Sequence, residues 1–177
     1  MVPKQFDQST GMPEDGAQKY PQDDRFELRR LEPSDAELRV RWAKDPRTTA
    51  MMYVPGDLDV EGTAQWILAV RDEGRENLVA VERETGIPRA MVGALGEDNL
   101  EFPELHVFVD PDRHGEGIGT AALRLLIEWL RNRPETYGCW LTVHPDNQAA
   151  RAVYGKLGFK LAGKASSPDR VRMELLW

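Results

Sequence analysis

His114-Gly115-Glu116-Gly117-Ile118-Gly119-Thr120 is the stretch of this 177-residue chain whose reading decides the fold. Upstream, Leu105, Val107 and Val109 alternate, so Glu104 to Val109 is expected to be a β-strand. Downstream, Ile118, Ala121, Ala122, Leu125, Leu126 and Trp129 fall on an i, i+3, i+4, i+7 stripe. Arg124, Glu128 and Arg131 face the other way, and Pro134 closes this helix. A strand, a glycine-rich turn and a helix N-terminus together form an anion-binding device. Glycine lets the backbone take positive φ and approach a ligand closely. The first helical turn leaves N–H groups unpaired at the positive end of the dipole. The expected ligand therefore carries phosphate.

Composition bounds the remaining possibilities. A hydrophobic content of 41% is enough for one domain with a real core. The net charge of -7 argues against nucleic acid as the main partner, because neutralising phosphates needs a clustered basic face. An acidic surface suits cationic amines and suits plain solubility equally. Cys139 is the one cysteine, which excludes an intrachain disulfide and fits a reducing compartment. No His, Cys and Asp cluster has metal-ligand spacing, so no metal is expected. No apolar run approaches the roughly 20 residues of a membrane span. The N-terminus lacks the basic-then-apolar order of a secretion signal. These features predict a cytoplasmic protein with no membrane partner.

Residues 1–24 read as a tail, with Pro3, Pro13, Pro21, Gly11 and Gly16 and no periodic apolar face. The folded domain is expected over residues 25–177. A first strand is framed by Phe26, Leu28 and Leu31, and a helix by Leu38 and Trp42 that ends at Asp45-Pro46. Residues 47–60 read as irregular and rich in apolar groups, either a pocket wall or a loop packed on the core. A second helix is predicted from about Val60 to Glu73, and strands at Leu78 to Val81 and Ala90 to Leu95. After the helix at Ile118 come a strand at Trp140 to Val143 and a helix with Ala150, Val153, Tyr154 and Leu157 on its apolar face. Gly158 stops that helix. Closing strands are expected at Phe159 to Leu161 and Val171 to Leu175. The order β-α-α-β-β-β-α-β-α-β-β implies a single-domain α/β (α+β) fold, with a mixed central sheet of about six to seven strands and helices on both faces.

Three phosphate ligands compete for the glycine loop. A P-loop requires Lys-Ser or Lys-Thr after the last glycine, but Thr120 and Ala121 follow Gly119. A dinucleotide fold requires the loop after a first strand, with an acidic residue about 20 residues on. Here the loop follows roughly the fourth strand. The third ligand is coenzyme A, its pyrophosphate on the helix N-terminus. Residues 104–160 resemble the GNAT superfamily of acyl-CoA-dependent N-acyltransferases. The family pattern Arg/Gln-x-x-Gly-x-Gly/Ala is matched at Gly117 and Gly119, with His114 in place of the Arg or Gln and Arg113 adjacent. A second signature is matched by Asn147, Ala150, Tyr154, Gly158 and Phe159. Residues 28–37 with Trp42 are similar to the branch that holds ribosomal-protein N-terminal and aminoglycoside acetyltransferases. The resemblance covers about residues 26–175.

The resemblance implies acetyl-CoA as cosubstrate and an amine as acceptor: a small cationic amine, an antibiotic or a protein N-terminus. Such transfer needs a neutral amine, a stabilised oxyanion and a proton for the leaving thiolate. An amine of pKa near 10 is mostly protonated at neutral pH, so a base is needed. Glu104 stands six residues before Asp110-Pro111, as a glutamate does in the resembling branch. At the start of an apolar strand its pKa is expected to rise by burial. The alternative is a solvent-facing side chain. His106 shares its strand face and titrates near neutrality, as a second base or as a core histidine. By family position Tyr154 is the acid for the thiolate; a packed tyrosine is the alternative.

The resemblance also implies that His114, Gly115, Glu116, Gly117, Ile118, Gly119 and Thr120 hold the pyrophosphate. The backbones of Val107 and Val109 would pair with the pantetheine arm where the fourth and fifth strands splay, and the Val109 N–H is the candidate oxyanion donor. Asn147 contacts the same arm or caps its helix. Cys139 and His144 read as structural. Asp57, Asp59, Glu61, Glu97 and Asp98 form an acidic acceptor pocket or are solvated loop charges. A homodimer using Trp177 is a further expectation. The alternative function is a non-catalytic acyl-CoA-binding module.

Overall fold

Period-two alternation sorts the strands of this protein into one sheet with two buried faces. The computed structural model describes residues 20–52, 54–72, 75–95, 100–165 and 169–177. Its strands are β1 (Phe26–Arg30), β2 (Glu76–Glu82), β3 (Ile87–Leu95), β4 (Glu104–Val109), β5 (Gly138–Val143), β6 (Lys160–Lys164) and β7 (Val171–Leu176). They form a seven-stranded sheet in the order β1-β2-β3-β4-β5-β7-β6. Neighbours run antiparallel except β4 and β5, which are parallel. The helices are α1 (Ala36–Lys44), α2 (Pro46–Thr49), α3 (Val60–Asp72), α4 (Ile118–Arg131) and α5 (Gln148–Lys156). Among the described residues, no helix is long and apolar enough to cross a membrane.

Each sheet face has its own core. Leu78, Ala80, Val92, Leu105 and Leu141 pack against the α4 stripe of Ala122, Leu125, Leu126 and Trp129. Fully burying one such leucine is worth roughly 1.5–3 kcal/mol, so α4 anchors this side. On the other face Val79, Val81 and Met91 lie with Trp42 of α1 and Ile67 of α3. The two helix layers thus place α4 and α5 on one side, α1 and α3 on the other, and β4 between them.

The observed elements depart from the sequence reading at polar boundaries. Within the stretch read as irregular, Pro46–Thr49 is helical. Asp45 restarts the chain as a cap, its carboxylate accepting the Arg47 N–H at 2.8 Å, and Pro46 occupies the first helical position. Strand β2 begins at Glu76 rather than Leu78 because the buried Glu76 carboxylate is compensated by Arg30 and Arg133, at 3.7 and 3.5 Å. Cys139 lies inside β5, fully buried, rather than just before it. Its thiol is pushed up to about 12 by burial, which keeps it unreactive.

The segment read as a tail ends in contact with the domain. The Tyr20 ring packs on Trp129 at 6.0 Å, and its hydroxyl donates to Glu76 at 3.3 Å. Residues 1–19 lie outside the described residues. Trp177 is docked on its own chain: Arg131 stacks over its ring at 5.3 Å and its indole N–H donates to the Thr136 carbonyl at 3.0 Å.

Candidate functional site

The site starts from hydrogen-bond bookkeeping on β4. In an antiparallel pair, opposed residues alternate between bonded and non-bonded positions. The Asp110 N–H donates to the Arg89 carbonyl at 2.9 Å, and the β3–β4 register pairs Ala90 with Val109 and Val92 with Val107. Val107 and Val109 therefore occupy non-bonded positions, and their N–H and C=O groups point away from β3, toward β5. There β5 does not meet them. Among the described residues, the two parallel strands pair at Glu104↔Trp140 alone, with Trp140 N–H donating to the Pro103 carbonyl at 3.0 Å. Beyond that point the strands splay, and an unpaired β4 edge faces the gap.

The glycine loop closes one end of the gap. Gly115 and Gly117 have φ of 87° and 75°, where an L side chain is strained. Gly117 is also the N-cap of α4. The first helical bond of α4 runs from the Ala121 N–H to the Gly117 carbonyl at 3.0 Å. The N–H groups of Ile118, Gly119 and Thr120 are thus the unpaired donors of the first turn. Gly119 lets α4 approach β4: a Cβ there would lie 3.1 Å from Val109 Cγ2. The Glu116 side chain does not face an anion. Arg113 grips it through Nε and a terminal nitrogen, and Arg25 donates to its carbonyl at 3.1 Å.

These parts share one groove of about 500 Å³. Its walls include Val107, Val109, His114, Gly115, Gly117 to Thr120, Thr142, His144, Asn147 and Tyr154. Asn147 caps α5, its Oδ1 accepting the Ala150 N–H at 3.0 Å, and lines the groove as well. The His144 Nδ1 accepts the Asp146 N–H at 3.2 Å in the preceding turn. Tyr154 is buried against Phe159, and burial pushes its hydroxyl up to about 12. It holds its proton throughout the neutral range.

Glu104, His106 and Phe108 project from the opposite face of β4. Burial raises the Glu104 carboxyl above the ordinary glutamate range, opposed by a 3.4 Å hydrogen bond from the Thr142 hydroxyl and by the charges of Arg172 and Arg170. Its side chain lines neither the groove nor the second cavity described below. His106 is held tightly. A Cβ on the opposing Gly93 would lie 2.1 Å from its Cε1, and the His106 Nδ1 is buried without a partner among the described residues. Burial, and then the Arg39 charge, lower its imidazole to about 4, so it is neutral at pH 7 and a weak base. The sheet brings Glu104 and His106 to one face, but only Tyr154 of the three candidates lines the groove.

A second cavity of about 380 Å³ lies between α1 and α3, lined by Arg39, Asp57, Asp59, Thr63, Trp66 and Phe108, among others. Phe108 also lines the groove, so the two spaces meet at this side chain. Of the acidic residues expected here, Asp57 and Asp59 are on the wall. Asp59 is committed locally, its Oδ1 accepting the Gly62 N–H at 2.7 Å at the start of α3. Glu61 is exposed and does not line the cavity, and Glu97 and Asp98 lie outside the described residues. Arg39, Thr63 and Trp66 were not foreseen. Nothing in the local sequence of a surface-patterned helix marks an arginine that tertiary packing will bury. Among the described residues, no group of three His, Cys, Asp or Glu side chains has the geometry of a metal site.

Fold and groove define a class: a mixed seven-stranded sheet, opened between its parallel strands, with a glycine-led helix N-terminus across the opening. The chain belongs to the GNAT acetyltransferases, since that family's acetyltransferase domain matches residues 25–160. Over 67 residues, 37% of this chain, it is 43% identical to a mycothiol acetyltransferase of Kytococcus sedentarius, of which the match covers 22%. Over 55 residues, 31% of the chain, it is 38% identical to a kanamycin resistance protein of Rhizobium radiobacter, covering 51% of that protein. The matched segments thus span about half or less of these relatives. Solved structures match over nearly their whole length. Ribosomal-protein-S5-alanine acetyltransferase from Vibrio fischeri superposes with a TM-score of 0.74 at 15% identity, covering 89% of this chain and 96% of that one. AAC(6')-Ib, in complex with paromomycin and acetyl-CoA, gives 0.72 at 21% identity, covering 86% and 94%. At such identity these likenesses concern the fold.

Proposed function

We propose that this protein is an N-acetyltransferase that moves acetyl from acetyl-CoA to a primary amine by direct attack in a ternary complex. One observation carries the reading: the free β4 edge at Val107 and Val109 opens into the same groove as the α4 N-terminus and Tyr154. Coenzyme A fits this donor set, because its amide-bearing arm needs a strand edge and its pyrophosphate needs unpaired N–H groups. The bound cosubstrate supplies an acetyl group activated as a thioester. The chain's residues do the rest. The N–H groups of Ile118, Gly119 and Thr120 hold phosphate oxygens. Val107 and Val109 hold the arm extended, and the Val109 N–H is the donor for developing oxyanion charge. Asn147 orients the arm while capping α5.

Glu104 takes the proton from the acceptor ammonium, directly or through water. Its raised pKa makes it a stronger base than an ordinary glutamate. His106, held near 4, is the weaker candidate and serves as packing behind Glu104. Tyr154 keeps its proton and gives it to the leaving thiolate. The acceptor classes suggested by the similar proteins are a protein N-terminus and an aminoglycoside. The lone buried Cys139 thiol suits a reducing compartment such as the cytoplasm. The competing reading, a non-catalytic acyl-CoA-binding module, draws on Glu104 standing behind the cavity walls. Free-thiol release from acetyl-CoA, measured against polyamines, aminoglycosides, amino acids and short peptides, separates the two. Turnover with an acceptor supports the enzyme; tight acetyl-CoA binding with no thiol release from any acceptor supports the module.

A further inference from the structure

The cavity between α1 and α3 contains a charge that no described residue pairs with. The Arg39 guanidinium lies between two rings of the wall, 4.5 Å from the Trp66 centroid and 5.4 Å from that of Phe108. Arginine cannot shed its proton in a protein, so the charge persists. Among the described residues Arg39 has no hydrogen bond and no ion pair, although Asp57 and Asp59 line the same cavity. A partly buried cation without a counter-ion is costly, and packing on two rings offsets only part of that cost. An unpaired guanidinium on a cavity wall points to an acceptor group brought by a ligand.

The chemistry of that group can be narrowed. The planar guanidinium fork, with its carbon over the Trp66 and Phe108 rings, matches a carboxylate or a phosphate. Asp57 and Asp59 on the same wall disfavour a dianion and favour an ammonium beside the anion. A volume of about 380 Å³ is at the small end of ligand pockets. We propose that Arg39 forms a carboxylate-binding subsite, and that the acceptor is a small zwitterion: an amino acid or dipeptide whose carboxylate it holds and whose amine is directed past Phe108 into the groove. This proposal rests on the acetyl-transfer reading and narrows its acceptor.

The test uses the full chain saturated with coenzyme A, so that binding is read without turnover. Individual L-amino acids and dipeptides are compared with their carboxamides by shift of the unfolding midpoint. A preference for the acid of roughly 10- to 100-fold in affinity is expected for the best pair. Arg39→Gln should abolish the preference and Arg39→Lys retain part of it, with coenzyme A affinity unchanged. Arg39→Gln should also be no less stable than the parent, because it removes an uncompensated charge. Equal binding of acids and amides, or an Arg39→Gln variant that fails to fold, overturns the subsite. Thiol release separates the two levels. Amides or polyamines turning over faster than acids would remove the subsite and leave acetyl transfer standing. Acids that bind through Arg39 without thiol release would do the reverse.

Discussion

The groove under α4 and the cavity between α1 and α3 meet at Phe108 yet are made of different material. The groove is largely backbone: two strand residues with unpaired amides, two glycines at positive φ and the first turn of a helix. The cavity is made of side chains from α1, α3, the intervening loop and β4. Backbone devices bind what every substrate of one reaction class shares. Side-chain devices recognise what differs between acceptors. That division explains how one fold serves acceptors as unlike as those of its structural relatives.

The comparison breaks most sharply at Tyr154, the one groove side chain with a proposed catalytic role. Tyr154→Phe should lower kcat by roughly 10²- to 10⁴-fold and leave acetyl-CoA affinity unchanged. Unaltered turnover would reduce Tyr154 to packing against Phe159 and make the groove a backbone device throughout. Glu104→Gln should cost a similar factor, with a diagnostic pH profile. A base must be deprotonated, so the rate should climb as pH rises through the Glu104 pKa. Because burial raises that pKa, this limb should lie above the ordinary glutamate range and vanish in the variant. A limb that survives Glu104→Gln would assign the base elsewhere.

A backbone site should be damaged by a backbone lesion. Gly117→Val forces a β-branched residue into φ of 75°. The strain of about 1–2 kcal/mol should weaken acetyl-CoA binding by about tenfold or more in a calorimetric titration. Acceptor discrimination by the cavity should remain. Loss of both together would mean that the two regions are mechanically one.

Smaller effects probe the acceptor side. Gly93→Ala drives a methyl into the His106 ring and should destabilise the protein by about 1–3 kcal/mol in urea unfolding. Adding His106→Ala should restore much of the loss, since the two share one contact. If Gly93→Ala is tolerated, the His106 ring is free to move, and its candidacy as a base revives. Asp59→Ala should cost about 1 kcal/mol through loss of the α3 cap. A change in acceptor KM without that stability cost would instead make Asp59 a binding residue.

Legibility in the sequence followed the range of the interactions. Strand β4, the glycine loop, α4 and the α5 cap at Asn147 were all readable because each depends on neighbours within a few residues. The start of β2 was not, since Glu76 looks like a chain-end charge until Arg30 and Arg133 arrive from distant segments. The helical restart at Pro46 was readable in principle from Asp45-Pro46, but that pair signals a helix end as readily as a beginning. The sheet face shared by Glu104 and His106 followed from period two alone. The raised Glu104 carboxyl was legible too, but the lowered His106 imidazole was not.

By itself, then, the sequence determined the order of the strands and main helices, the glycine loop and the strand that precedes it. Periodicity, glycine conformation and helix-end chemistry are local physics, and local physics is written in consecutive residues. Only the tertiary structure decided that β4 and β5 part after a single pair, that the His106 ring packs against Gly93, and that Arg39 lies over Trp66 and Phe108 with no counter-ion among the described residues. Register, burial and charge compensation depend on which remote segments meet, and a side chain's chemistry is fixed only once its neighbours have replaced water.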